Sequence, residues 1–406
     1  AVSNVASTGV ITIPLMRQAG YDAKTAAAIE AVASTGGQIM PPIMGAAAFL
    51  MAELLELSYT EIIMAALIPS FLYYLAVFIQ ADLEAAKNGI AALPKDRIPP
   101  MMRVMKEGWF FIVPYVVLIY ALFSMNMPPQ KAAFWAAVSV GVVSVIFGYK
   151  KKRITAKQFL STFSGCGRMS VEIIVIGAMA GVIIGILDKT GLGQALTLIL
   201  AMVGENNLWL LLILTAFISI LLGMGMPTSA IYLLLATMIA PSLIKLGVNP
   251  IAAHLFVLYF GLMSMITPPV AIAAFAAASL AGAKPMATGI VAVRMGWIAY
   301  IIPFVFVMSP SLLLQGDAIH IISALVLAVI GVWVASCGFI GYMFRPLGPV
   351  FRLLFIAGGL ALLLPGEAFT MGYFINAAGG VIAILLVGRE YLATRNGVAT
   401  SPASPS

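Results

Sequence analysis

Charge is scarce in this 406-residue sequence: only 9% of its residues are Asp, Glu, Lys or Arg, while 62% are hydrophobic. Soluble domains carry about 25% charged residues. A surface this poor in charge cannot face water all round. Cysteine is nearly absent too. Cys166 and Cys337 stand far apart near apolar stretches, which excludes a disulfide framework and a cysteine metal site. The two histidines, His254 and His320, are equally isolated. There is no His-Glu-x-x-His run, no Gly-x-Ser-x-Gly elbow and no Cys/His cluster. Hydrolytic and metal-assisted catalysis need such sets, so the sequence does not read as an enzyme, and it offers no cofactor motif.

What it has in abundance is apolar sequence. Mean hydropathy is +1.07. Runs long enough to cross a hydrocarbon core of about 30 Å recur along the whole chain. They predict an all-α polytopic membrane protein, with segments at 22–57, 60–82, 108–125, 130–149, 170–188, 207–222, 251–281, 288–308, 318–341, 350–364 and 371–388. Residues 1–17 and 229–245 read as halves of re-entrant hairpins. Residues 190–204 fit either an interfacial path or a pairing with 207–222. The formal charge of +7 would suggest nucleic acid in a soluble protein. Here the basic residues sit in short loops and set orientation, so the expected partner is the lipid bilayer and not nucleic acid.

The loop 83–107 carries Lys87, Lys95, Arg97, Arg103 and Lys106, and the loop 150–169 carries Lys150, Lys151, Lys152, Arg153, Lys157 and Arg168. Two spans separate them, so both loops fall on the inner side. Segment 153–168 then reads as lying along the inner membrane surface. The Ser/Pro-rich end, Thr400–Ser406, reads as disordered. The first residue is alanine and the chain opens inside a motif. It reads as a fragment of a longer protein that lacks N-terminal helices.

The segment from Ala1 to Glu53 aligns without gaps on the segment from Thr228 to Leu280. Pro14 meets Pro241, Gly20 meets Gly247, and Pro41-Pro42 meets Pro268-Pro269. The prolines and the glycine carry more weight than the alanine matches, because they fix backbone geometry. Counting spans puts Gly20 inside and Gly247 outside, so the two copies face opposite ways. Inverted repeats are the pattern of alternating-access transporters, whose sites lie at broken helices near the midplane. The plainer alternative is a chance match between two apolar stretches.

Each copy holds an apolar stretch interrupted by a polar, proline-containing break. One runs from Ser34 to Pro42 and the other from Gly261 to Pro269. Two successive prolines end a helix. Each backbone group so freed costs several kcal/mol in hydrocarbon unless protein or water satisfies it. A break therefore survives where it lines a cavity or an ion site, though a single one could be a simple kink. Upstream of the second break, Gly223-Met224-Gly225-Met226-Pro227-Thr228-Ser229 reads as a hairpin tip. Its counterpart at the chain start is Ser3-Asn4-Val5-Ala6-Ser7-Thr8-Gly9. Such hydroxyl clusters can also bond to helix carbonyls or hold helices together. Glu30, Glu172 and Asp188 are candidate intramembrane acids, with Glu53 and Glu56 near a segment end.

The run Asn4–Gly9, the break with Gly36-Gly37-Gln38 and Pro41-Pro42, the tip Gly223–Thr228 and the run Thr267-Pro268-Pro269 together resemble the TRAP transporter fused permeases. The nearest likeness is to the large, DctM-like membrane subunit of the TAXI subtype, over residues 1–310. The resemblance implies an elevator-type secondary transporter of the bacterial inner membrane, with two re-entrant hairpins and two broken helices. It implies a periplasmic substrate-binding protein as partner and an organic anion as substrate, a dicarboxylate or a glutamate-like acid. It implies sodium as coupling ion, with protons as the alternative. Carried onto this chain, the ion-binding positions are Ser3, Asn4, Gly36, Pro41, Gly225, Thr228, Ser264 and Thr267. The substrate-binding positions are Ser7, Thr8, Ser34, Thr35, Gln38 and Ser229, and Pro42, Pro227, Pro268 and Pro269 form the helix breaks. Residues 1–57 and 190–283 would form the transport domain and 58–189 the scaffold. Residues 284–310 would be the final core helix, 311–392 extra C-terminal membrane helices and 393–406 the disordered tail. The rival reading is a passive channel or facilitator using the same breaks without ion coupling.

Overall fold

The computed structural model describes residues 1–91, 100–125, 127–147, 155–191, 194–195, 198–200, 202, 207–367 and 370–395; along 155–190 it describes the backbone and part of the side chains. The regular elements among the described residues are helices. In order they are α1 (Val2–Ala19), α2 (Ala23–Gly36), α3 (Ala46–Leu55), α4 (Tyr59–Lys87) and α5 (Met101–Gly108). A 3-10 turn, Trp109–Ile112, leads into α6 (Val113–Ile119) and a π turn, Tyr120–Ser124, followed by α7 (Pro129–Ile146) and α8 (Ala156–Thr190). Then come α9 (Leu208–Gly223), α10 (Thr228–Met238), α11 (Ala240–Lys245), α12 (Pro250–Met263) and α13 (Ile272–Ala281). The last are α14 (Pro285–Met295), α15 (Ile298–Met308), α16 (Ala318–Ile340), α17 (Pro349–Leu363) and α18 (Gly372–Arg395).

Local sequence explains several starts. Asp22 caps α2 by accepting from the Thr25 amide at 2.8 Å, and Asn249 caps α12 by accepting from the Ile251 and Ala252 amides at 2.9 and 3.3 Å. A capping residue satisfies amides that have no partner within the helix. Ser58 and Glu61 form a reciprocal capping box at the start of α4.

Seven helical stretches among the described residues are long and apolar enough to cross a membrane: 59–87, 101–124, 129–146, 228–245, 285–308, 318–340 and 372–395. Three expectations change. Residues 156–168 of the surface segment and the span 170–188 are parts of one 35-residue helix, α8; the charges of that segment invite a division that the backbone does not make. The predicted span 288–308 stands within the apolar stretch 285–308, but it is divided into α14 and α15, which meet at Gly296 and Trp297. The predicted span 350–364 is the 15-residue α17, which at 1.5 Å per residue reaches only about 22 Å. Seven of the fifteen residues 190–204 and the tail from 396 lie outside the described residues, and α18 carries the helix on to Arg395.

The repeat reappears in the backbone. Both ends of α2 and α12 are shifted by 227 residues, and so are their caps, Asp22 and Asn249. Gly20 and Gly247 both have positive φ, as do Met44 and Ala271 just before α3 and α13. The copies interlock. α13 packs on α1 and α2, while α3 packs on α10 and α12. The second half-helix of each copy thus lies against the opening elements of the other. Small residues allow this close approach: Ala26, Ala27, Ala28 and Ala31 on α2 and Ala273, Ala274 and Ala277 on α13 are fully buried. By contrast, α6, α7 and α8 present Tyr115, Phe134, Trp135 and Ile174 outward. Exposed apolar surface of this kind suits lipid contact.

Candidate functional site

Both breaks are non-helical, but each begins three residues later than the sequence predicts, because Ser34–Gly36 and Gly261–Met263 still belong to α2 and α12. Residues 37–45 separate α2 from α3, and 264–271 separate α12 from α13. The Pro41–Pro42 and Pro268–Pro269 bonds are both cis. Some freed backbone groups find partners. The Tyr59 hydroxyl donates to the Pro42 carbonyl at 2.8 Å, and the Ala273 amide donates to the Met265 carbonyl at 3.0 Å. The carbonyls of Gly37, Ile39 and Pro41 in the first break, and of Ser264, Ile266 and Pro268 in the second, accept no hydrogen bond from the described residues. Carbonyl oxygens left free in this way point partial negative charge outward and suit a cation.

Gly36 is buried under an aromatic side chain. A Cβ on it would lie 2.4 Å from Tyr73 Cε1, and the Tyr73 hydroxyl donates to the Val32 carbonyl at 2.7 Å. In the second copy, Ser264 Oγ lies 2.6 Å from the Gly261 carbonyl and 2.9 Å from the Gly223 carbonyl. This ties the break to the tip. Thr267 Oγ1 donates to the Met263 carbonyl at 2.5 Å and meets the Tyr300 hydroxyl at 2.7 Å. Met224–Pro227 link α9 to α10, with Gly225 at φ 83°. Pro227 immediately precedes α10, and Ser229 lies half-buried in its first turn.

Across the copies, the Thr228 hydroxyl donates to Gln38 Oε1. This contact joins the first break to the second tip across 190 residues of sequence. At the chain start, Asn4 Nδ2 donates to Ser34 Oγ at 2.9 Å and Ser34 Oγ donates to Glu30 Oε1 at 3.2 Å. Thr8 and Thr12 lie against the same carboxyl at 2.6 and 2.5 Å. Ser7 Oγ donates to the Asn4 carbonyl, and Ser3 is exposed on α1. Thr35 is fully buried and its hydroxyl donates to the Ala31 carbonyl, so that group is engaged within its own helix.

Two groups of the predicted residues meet across helices, while Ser264 bonds to the Gly223 carbonyl, Thr267 meets Tyr300 and Ser3 is exposed. Gln38 and Thr228 join the two copies, while Asn4, Thr8 and Ser34 gather on Glu30. Thr12, Tyr73 and Tyr300 were not singled out in the sequence. The four-residue spacing of Asn4, Thr8 and Thr12, matched by Glu30 and Ser34, puts them on facing sides of two helices and was the available signal. The side chains of Glu172 and Asp188 lie outside the described ones.

A family model, that of the DctM component of the tripartite ATP-independent periplasmic transporters, matches residues 1–320. The chain belongs to the DctM family. It is 23% identical over 309 residues to the C4-dicarboxylate TRAP transporter large permease protein DctM of Pseudomonas aeruginosa, covering 76% of this chain and 70% of that one. It is 25% identical over 289 residues to the isethionate TRAP transporter permease protein DctMQ of Oleidesulfovibrio alaskensis, covering 70% and 44%. It is 22% identical over 276 residues to the sialic acid TRAP transporter large permease protein SiaM of Vibrio cholerae, covering 68% and 63%. The chain thus spans less than half of DctMQ and under two thirds of SiaM. These relatives are transport proteins rather than enzymes. A multi-pass inner-membrane permease fits both the family and the seven apolar helices.

Proposed function

We propose that the protein is the large permease subunit of a TAXI-subtype TRAP system. It imports an organic carboxylate, a C4-dicarboxylate or a glutamate-like acid, delivered by a periplasmic substrate-binding protein and coupled to a sodium gradient. α1 acts as half of one re-entrant hairpin and the α9–α10 pair as the other, in oppositely oriented copies, and the two interlocked copies move as one elevator body. The observation that carries this reading is the junction of Gln38 in the first break with Thr228 at the second tip. It brings the first break, with the unbonded carbonyls of Gly37 and Ile39 on either side of Gln38, to the N-terminus of α10. Helix N-termini favour anions, and the unbonded carbonyls favour a cation. Substrate and coupling ion can therefore share one neighbourhood without an arginine clamp. The relatives named above act on dicarboxylate, isethionate and sialic acid, all organic acids.

Gln38→Ala and Thr228→Ala test the reading in labelled-succinate uptake by reconstituted vesicles. Each should reduce uptake at least tenfold while the protein remains folded and inserted. Wild-type rate and KM in both variants would remove the junction from the transport path.

A further inference from the structure

Glu30 lies only 6% exposed in the middle of α2, and no described lysine, arginine or histidine pairs with it. The helices packed on α2 are α1, α4, α13 and α14. The one charged side chain of α1, Arg17, donates to the Ala281 carbonyl, and α13 has no titratable group. Arg294 of α14 pairs with Glu84 of α4, and Lys87 of α4 donates to the Ile340 carbonyl. Tyr73 and Tyr74 of α4 donate to the Val32 and Ala33 carbonyls. Tyr59, Glu61 and Asp82 complete the titratable set of α4. On α2 itself, Lys24 pairs with Asp22.

The carboxyl meets only neutral oxygens, and these are short of protons. Thr8 Oγ1 lies 2.6 Å from Glu30 Oε1 and 2.8 Å from the Asn4 carbonyl. Thr12 Oγ1 lies 2.5 Å from Glu30 Oε2 and 3.0 Å from the Thr8 carbonyl. Each hydroxyl has one proton for two acceptors. A proton on Oε2 supplies the missing donor: the acid donates to Thr12, and Thr12 donates to the Thr8 carbonyl. A metal cation fits less well, because oxygens 2.5–2.6 Å apart leave room only for hydrogen between them.

The second copy serves as an internal control. Positions 227 residues on from Asn4, Thr8, Thr12, Glu30 and Ser34 are Ile231, Leu235, Ile239, Val257 and Gly261. The side chains of the first four are buried. They meet in the same way: a Cβ on Gly261 would lie 2.5 Å from Ile231 and 2.9 Å from Leu235. The equivalent positions thus pack with apolar residues, while Tyr232 and His254 pair elsewhere on the same two helices, and the fold itself does not require this polar cluster.

We propose that Glu30, with Thr8, Thr12, Ser34 and Asn4, forms a proton-binding site that takes up and releases one proton in each transport cycle, alongside the sodium ion. The carboxylate binds a proton to become the acid and gives it up again, with no other bond changed. The cycle rests on the transporter reading above; the site itself can be tested without it.

Infrared difference spectra of the complete wild-type permease and Glu30→Gln, taken across the pH range of transport, test the site first. The expected result is a protonated-carboxyl band that is present at the acidic end, fades with rising pH and is missing in Glu30→Gln. A band that is absent throughout, or unchanged across the range, overturns the proposal. The second readout is succinate uptake driven by an inward proton gradient, expressed relative to each protein's own succinate counterflow. The proton-gradient stimulation should vanish in Glu30→Gln. If stimulation persists in the variant, or if only its sodium dependence is lost, the proton site is refuted. Absence of counterflow in wild type would instead count against the dicarboxylate transporter reading, while the infrared band still decides Glu30.

Discussion

Gly36→Ala tests the packing that holds the first break. Gly36 is the last residue of α2, and its added methyl would sit 2.4 Å from Tyr73 Cε1, 2.9 Å from Cδ1 and 3.0 Å from Tyr74 Cζ. Tyr73 cannot swing aside freely, because it is fully buried and its hydroxyl is bound to the Val32 carbonyl. Relief requires either that α2 move off α4 or that the ring turn and break that bond. Overpacking of this kind costs about 1–3 kcal/mol, and a lost buried hydrogen bond adds about 0.5–1.5 kcal/mol. Alanine's helix preference over glycine, about 1 kcal/mol in a helix interior, offsets part of this. A net loss of about 1–3 kcal/mol follows. Gly37→Ala is the control, since its nearest neighbour would be the Ser34 carbonyl at 3.5 Å and its φ of −59° suits alanine. Unfolding in detergent, by heat or denaturant, should show Gly36→Ala clearly destabilised and Gly37→Ala within about 0.5 kcal/mol of wild type. Equal midpoints for the two variants would refute the close approach of Tyr73.

Asn249→Ala removes the cap of α12 and the bond from Asn249 to Gln315; it should lower stability by about 0.5–2 kcal/mol, read by the same unfolding assay. Glu84→Ala strips Arg294 of its ion-pair partner while Arg294 Nε is already buried without a bond. Breaking a fully buried pair costs about 3–5 kcal/mol, and the 31% exposure of the arginine side chain brings the expected loss nearer the low end. Thr267→Val leaves the Tyr300 hydroxyl without the partner it has at 2.7 Å. A double-mutant cycle with Tyr300→Phe should return a coupling of about 0.5–3 kcal/mol, and a coupling of zero would show that the pair does not interact.

The breaks, the caps and the repeat were legible because each is set by local chemistry. The paired prolines Pro41-Pro42 and Pro268-Pro269 fall in the breaks, whereas the single Pro14, Pro69 and Pro303 lie inside α1, α4 and α15; Asp22 and Asn249 cap from the residue just before α2 and α12. Length was harder to read. The charges of 153–168 suggest a surface segment, yet from Ala156 the chain is one helix to Thr190. α14 and α15 part at Gly296, where a Cβ would lie 2.8 Å from Ile266; the glycine is a local sign of the division, and the close approach of Ile266 is a tertiary one. Gln38 and Thr228 were both singled out, but their meeting is a tertiary contact that no spacing encodes. The Glu30 cluster is a mixed case. Its four-residue periodicity is present in α1 and α2, but that these two faces meet, with Thr8 and Thr12 on Glu30, is a tertiary contact.

Coupling is decided most directly by succinate uptake into liposomes holding the complete transporter, with and without its periplasmic binding protein and an inward sodium gradient. A coupled TRAP permease accumulates succinate only when both are present. Uptake that follows the substrate's own gradient, needing neither sodium nor the binding protein, would contradict coupling and leave a passive pore.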